Sequence, residues 1–158
     1  MQNGIVESLF LAPQQDAPVQ QQTSLQVLAG QGIRGDRYFL SQAPLSGTPA
    51  ANRKEDLTLI DAAQLEHFNE HFGLRIPHGD FRRNIITRGI DLNALVGKRF
   101  RVGTALCEGM ELCEPCSKLA RTVSRQVLPH LVHRAGLRAA IIESGDIEPG
   151  DTIETTDI

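Results

Sequence analysis

The sequence predicts a mainly β fold, a barrel or sandwich carrying a few peripheral helices, and two observations carry that prediction. Apolar runs of strand length recur along the 158 residues, separated by turns that contain glycine or proline. Only two or three stretches have helical spacing, and they do not alternate with the strands as a doubly wound βαβ fold requires. The length suits one domain spanning residues 1–158, long enough to bury roughly 70% of the surface of its unfolded form.

Taken in chain order, Gly4–Leu11 and Thr23–Ala29 are partly alternating apolar segments joined by a Gln- and Pro-containing turn, and are expected to pair with each other. Residues 41–55, rich in Ala, Pro, Ser and Gly, read as a surface loop. Leu57–Ile60 is a strand. Asp61 then caps a helix whose Leu65, Phe68 and Phe72 share one face until Gly73 ends it. Strands follow at Asn84–Thr87, Lys98–Val102, Ala105–Leu112, Leu137–Glu143 and Thr152–Thr155. Between them Ser117–His133 reads as helical, with a break or kink at Pro129.

Composition narrows the function classes. Hydrophobic residues make up 41% and charged residues 22%, and no apolar run approaches the roughly 20 residues of a membrane helix. The first residues, MQNGIVESLF, show neither a basic segment leading into an apolar stretch nor an Arg-rich transit pattern, so a cytoplasmic protein without membrane attachment is expected. The net charge of −3, with Lys and Arg not interleaved with aromatics, argues against nucleic acid as a partner. Three cysteines in a reducing compartment argue against a disulfide framework and leave metal binding, catalysis or burial.

Two of those cysteines carry the strongest local signal. Cys113-Glu114-Pro115-Cys116 ends a strand and opens a helix, where unsatisfied backbone N–H groups and the helix dipole favour a thiolate. Cys116, beside Ser117, is the better-placed thiol. Half of a zinc site, a thioredoxin-like redox pair and two buried small residues are the competing readings, but the chain has no second Cys-x-x-Cys and no βαβ context. Cys107, between Leu106 and Glu108 in an apolar strand, reads as buried.

Two basic clusters complete the candidates. Phe81-Arg82-Arg83-Asn84 sets two guanidinium groups and an amide at a strand entrance, a combination suited to phosphate or carboxylate. Gly32-Ile33-Arg34-Gly35-Asp36-Arg37 combines turn glycines with two arginines and an acid, and reads equally as a tight turn held by Asp36 and Arg37 or as a ligand contact.

The order of these motifs resembles the MOSC family, named for the C-terminal part of molybdenum-cofactor sulfurases. The resemblance runs through GIRGDRY (32–38), LTLIDAAQLE (57–66), FRRNIITRGIDLNALVGKRFRVG (81–103), LCEPCSKL (112–119), HRAGLRA (133–139) and GDIEPGDTI (145–153). It implies a strongly bent, β-barrel-like MOSC fold. It also implies that Cys116 is the functional cysteine, the molybdenum ligand in the amidoxime-reducing relatives, and that Arg82 and Asn84 help hold the molybdenum cofactor (molybdopterin). Arg83 stands where that motif has Pro and adds a basic group, Tyr38 stands where many relatives have His, and Arg37 remains an anion contact.

Three functions follow as expectations. The first is a molybdenum-dependent oxidoreductase acting on N-hydroxylated compounds and receiving electrons from a separate reductase, since three cysteines are too few for an iron–sulfur cluster of its own. The second is a sulfur carrier holding a persulfide on Cys116, supplied by a separate sulfur-donor protein. The third is a non-catalytic module whose arginines bind an anion.

Overall fold

The computed structural model describes residues 3–14, 16–39, 55–115, 117–122 and 124–156. Its architecture is a closed seven-stranded barrel. Strands β1 (Asn3–Leu11), β5 (Leu57–Asp61), β6 (Ile85–Arg88), β7 (Arg99–Val102), β8 (Ala105–Leu112), β9 (Leu137–Glu143) and β11 (Thr152–Thr155) run in the spatial order β11-β7-β8-β9-β5-β6-β1. Pairing of Asn3–Ile5 with Thr152–Glu154 closes the ring. A short β2 (Gln20–Gln22) adds to the far end of β1. Three further strands, β3 (Leu25–Leu28), β4 (Gly32–Ile33) and β10 (Gly145–Ile147), form a separate small sheet.

The broken alternation of the first apolar segment has a local cause. The register of β1 on β6 slips between Val6 and Ser8, so Glu7 is the extra residue of a bulge. The slip changes which parity faces inward, and Val6, Leu9 and Leu11 are all buried despite their spacing. β5 and β6 are parallel, joined through helix α1 (Ala62–Phe72). That connection covers their outer face, so both strands are buried on two sides and read as nearly unbroken apolar runs. Leu59 and Ile85 join the barrel interior with Phe100, Val102 and Leu137, while Ile60 and Ile86 face a second core with Leu65, Phe68 and Phe81.

Helix α1 begins and ends as its sequence dictates. Asp61 accepts a hydrogen bond from the Ala63 backbone N–H at 2.9 Å, and Gly73, at φ +65°, closes the last turn in a conformation that a Cβ would oppose. The second helical stretch departs from expectation. It divides into α2 (Ser117–Thr122) and α3 (Val127–His130), and the break precedes Pro129 instead of falling on it. Pro129 occupies the third position of α3, where a backbone N–H has no intrahelical partner to lose.

The expected pairing of the first two apolar segments is also corrected. β3 pairs with β10 and β4, and it is Gln20–Gln22 that folds back on β1. β2 is polar and β4 and β10 have only two and three residues, so these three lack the alternation by which a strand is recognised. The loop expected over 41–55 lies outside the described residues except at Glu55. Among the described residues no helix is long and apolar enough to cross a membrane.

Candidate functional site

Chain ends and loops at one side of the barrel converge on a pocket enclosing about 530 Å³, its open mouth included. The end of β1 supplies Phe10, Leu11 and Ala12, the turn after β4 supplies Asp36, Arg37 and Tyr38, and β5 supplies Thr58. Arg82, Arg83 and Asn84 enter from the approach to β6, Cys113 from the residue following β8, and Arg138 from β9. Thr58 and Arg138 are direct partners in the β5–β9 ladder, which places both on one face of the sheet.

Arg82 is held in a conformation rare for a side-chain-bearing residue, at φ +64° and ψ +34°, where it closes the 3₁₀ turn His78–Phe81. Its Nη1 donates to the Ala17 carbonyl at 2.7 Å. Its Nη2 is buried and has no hydrogen-bond partner among the described residues. Burial, and secondarily the nearby Arg37 charge, push the Arg82 guanidinium below its usual range, while Asp16, Asp36 and Tyr38 oppose that shift. A buried guanidinium N–H left unpaired is costly, so the geometry favours an acceptor arriving from the pocket.

The neighbouring groups divide into wall and face. Arg83 donates from Nε to the Ala135 carbonyl at 3.0 Å and from Nη1 to the Phe81 carbonyl at 3.2 Å. Asn84 Oδ1 accepts from both the backbone N–H and the hydroxyl of Thr58, and its Nδ2 donates to the Phe10 carbonyl at 3.1 Å. These contacts make Asn84 a tie between β1, β5 and the loop entering β6. The Arg37 guanidinium lies 4.8 Å from the centre of the Tyr38 ring. Asp36 does not tie the turn through Arg37: its carboxylate accepts from the backbone N–H groups of Ala12 and Tyr38.

Cys113 is buried, and its N–H donates to the Gly136 carbonyl at 2.8 Å. Gly136 itself sits at φ +114°, with the Leu59 carbonyl oxygen occupying the space a Cβ would need. That close approach seats Gly136 against β5, and Cys113 is tied to Gly136 in turn. Glu114 then meets His133 twice, its Oε1 accepting from the backbone N–H at 2.6 Å and its Oε2 lying 2.6 Å from the imidazole Nδ1. Cys116 lies outside the described residues. The helix that follows it has six residues, so less of an aligned dipole stands behind that position than a helix over 117–133 would provide.

The MOSC domain family profile matches residues 46–154, more than half of the chain. The chain belongs to the MOSC family. Its fold is also that of solved structures under 25% identical to it. The YuaD protein from Bacillus subtilis superimposes with a TM-score of 0.81 at 20% identity, covering 97% of this chain and 95% of that one. YiiM from Geobacillus stearothermophilus gives 0.70 at 17% identity, with 98% and 75% covered. YiiM from Escherichia coli gives 0.64 at 17% identity, with 100% and 71% covered. No curated protein matches the chain significantly.

In this MOSC protein the four residues singled out beside the cysteine, Arg37, Arg82, Arg83 and Asn84, come together in one pocket from two distant segments. Arg138 and Thr58 were not anticipated. Arg138 falls within the HRAGLRA motif and Thr58 within LTLID, but each reads locally as an ordinary strand residue, and only the β5–β9 register shows that they share a face. Cys107 is fully buried as expected, and burial pushes its thiol up to about 12, with Asp56 adding to the effect. Among the described residues no group of three His, Cys, Asp or Glu side chains is arranged to hold a metal ion.

Proposed function

We propose that this MOSC protein binds the molybdenum cofactor through its arginine pocket and acts as an oxidoreductase component that reduces N-hydroxylated compounds, with Cys116 as the molybdenum ligand. The unpaired, buried Nη2 of Arg82, in a pocket that also contains Arg37, Arg83 and Arg138, is the observation that supports it. Such donors fit the phosphate that terminates the pterin. Arg82 offers a charged N–H that no acceptor among the described residues uses, and the other guanidinium groups add positive charge around it. Cys113 lines the same pocket and stands three residues before Cys116, a reach of at most about 11 Å of chain.

In this reading each residue has a distinct task. Arg82 and Arg83 would hold the phosphate end of the cofactor. Arg37, stacked on Tyr38 at the mouth, presents a charge whose direction the ring restrains. Asn84 and Thr58 keep the pocket wall rigid between β1 and β5. The bound cofactor would supply the redox chemistry, and a soft thiolate from Cys116 suits a sulfur-rich metal centre. Electrons would come from a separate reductase.

The decisive experiment is the metal and pterin content of the protein purified from a host that makes the cofactor. Molybdenum and pterin near one per chain are expected. Protein free of both, with a persulfide found on Cys116 by mass spectrometry, would replace this reading with the sulfur carrier. Absence of both metal and persulfide would leave an anion-binding module.

A further inference from the structure

The charge of the chain is unevenly distributed. Between Glu114 and Glu143 there is no Asp or Glu, yet Lys118, Arg121, Arg125, Arg134 and Arg138 fall there with His130 and His133, in a chain of net charge −3. Packing turns much of this charge outward. Leu119, Ala120, Val127 and Leu131 are buried in the core beneath α1, which leaves Arg121 on α2, Arg125 in the turn before α3, His130 on α3 and Arg134 in the loop after it exposed. The barrel treats its arginines differently. Arg88, Arg99, Arg101 and Arg138 each have a glutamate within 4.0 Å, whereas Arg121, Arg125 and Arg134 have no ion-pair partner among the described residues.

Glu114 is taken up by His133, and Asp61 and Asp91 line a cleft beside Arg134, so the three arginines stand on a surface with few acids. Like charges so gathered repel one another, and a carboxylate surface brought against them offsets that cost. An apolar anchor is present as well: Val132, 45% exposed, sits between these cations. The His130 ring packs against Phe72 at 4.6 Å and lies 5.7 Å from the His71 ring, joining α3 to α1. Nucleic acid is the weaker match, since among the described residues no exposed aromatic accompanies the cations and the rest of the chain is net negative.

We infer that the surface formed by α2, α3 and the loop through Arg134 docks a protein with a carboxylate-rich face. Resting on the function proposed above, that protein is the electron donor. The docking surface starts immediately after the Cys113–Cys116 segment, so a donor seated there stands beside the arginine pocket.

A purified acidic [2Fe–2S] ferredoxin is the probe. Its binding to the full-length protein, followed by calorimetry, is expected to weaken steeply as salt rises from about 0.02 M to about 0.2 M. It should weaken by about tenfold or more in R121E/R125E/R134E while Lys98→Glu, on the barrel, leaves it unchanged. If the reversed triple variant fails to fold, R121Q/R125Q/R134Q serves in its place and should show a smaller loss in the same direction. Absence of ferredoxin binding, binding indifferent to the three arginines, or arginine-dependent binding of single-stranded RNA in place of ferredoxin would each overturn the docking surface. Reduction of substrate with a viologen dye, which needs no docking, is measured in parallel. Loss of viologen-driven turnover in the unmodified protein counts against the reductase function, and the binding titration still decides the docking surface.

Discussion

Thr58 and Asn84 hold each other across β5 and the entrance to β6 at four points. The Thr58 N–H and hydroxyl both meet Asn84 Oδ1 at 3.0 Å, while the Asn84 N–H lies 3.0 Å from the Thr58 hydroxyl and 3.1 Å from its carbonyl. Asn84→Ala therefore strands the Thr58 N–H and the Phe10 carbonyl together. It should cost about 2 kcal/mol, a fall in Tm of about 4–8 °C for a chain of this size. Thr58→Val keeps the backbone contacts and should lose roughly half as much, and urea titration of both single variants and the double variant should show less than additive losses. Additive losses would mean that the two side chains act independently.

Arg82 and Cys116 should fail in different ways. Arg82→Ala removes a charged donor whose contact is worth about 1.5–3 kcal/mol, so cofactor occupancy should fall roughly ten- to a hundredfold and excess cofactor should restore part of the turnover. Cys116→Ser replaces a soft thiolate with a poor donor, so turnover should vanish while pterin is retained. Bound pterin and turnover measured side by side separate the two roles. A fully active Cys116→Ser protein would remove both cysteine mechanisms and favour the anion-binding module.

Cys107 should make folding sensitive to alkali. Its thiol, ordinarily at 9.0, is pushed up to about 12 by complete burial, so the folded chain keeps a proton that the unfolded chain releases. The contribution is full below pH 9.0 and declines as pH rises towards 12. Between about pH 8 and about pH 10.5 the unmodified protein should lose about 1–2 kcal/mol more than Cys107→Ala, read from urea midpoints. Iodoacetamide at neutral pH should leave Cys107 unlabelled in the folded protein.

The surface pair of Glu66 and Arg88 should matter much less. Hydrogen bonds from Arg88 hold the Glu66 carboxyl below its usual range, so its contribution is present above the ordinary carboxylate pKa and is lost as acid protonates it. Both side chains are about half exposed, and Glu7 also binds Arg88, so Glu66→Gln should cost less than about 1 kcal/mol at neutral pH. The difference from the unmodified protein should shrink with added salt and disappear in acid.

The sequence was most legible where local chemistry and packing agree. Asp61 and Gly73 bound α1 as their capping chemistry requires, and Ala105–Leu112, Leu137–Glu143 and Thr152–Thr155 are strands along their whole expected length. It was least legible where partners are remote. β3 is apolar enough to be recognised as a strand, but its choice of β10 over β1 depends on residues more than a hundred positions away. The same limit governed the site. Arg82 and Arg83 announce themselves by adjacency, whereas Arg138 joins them only through the register of β9 on β5. The unpaired Nη2 of Arg82 has no trace in the sequence, because it arises from the burial of one particular nitrogen.

Closure of the barrel by Asn3–Ile5 against Thr152–Glu154 sets an order on synthesis. On the ribosome β1 is made long before β11, and the Asn3–Ile5 part of one of its edges has no strand partner until residues 152–154 have emerged. At common elongation rates that interval is about 8–30 s, far longer than a hairpin needs to form. Through that time the nascent chain presents an open strand edge next to Val6, which is buried in the finished barrel. Holding a nascent chain just before Thr152 should therefore trap a form that chaperones bind, and release of residues 152–154 should be the step that hides it.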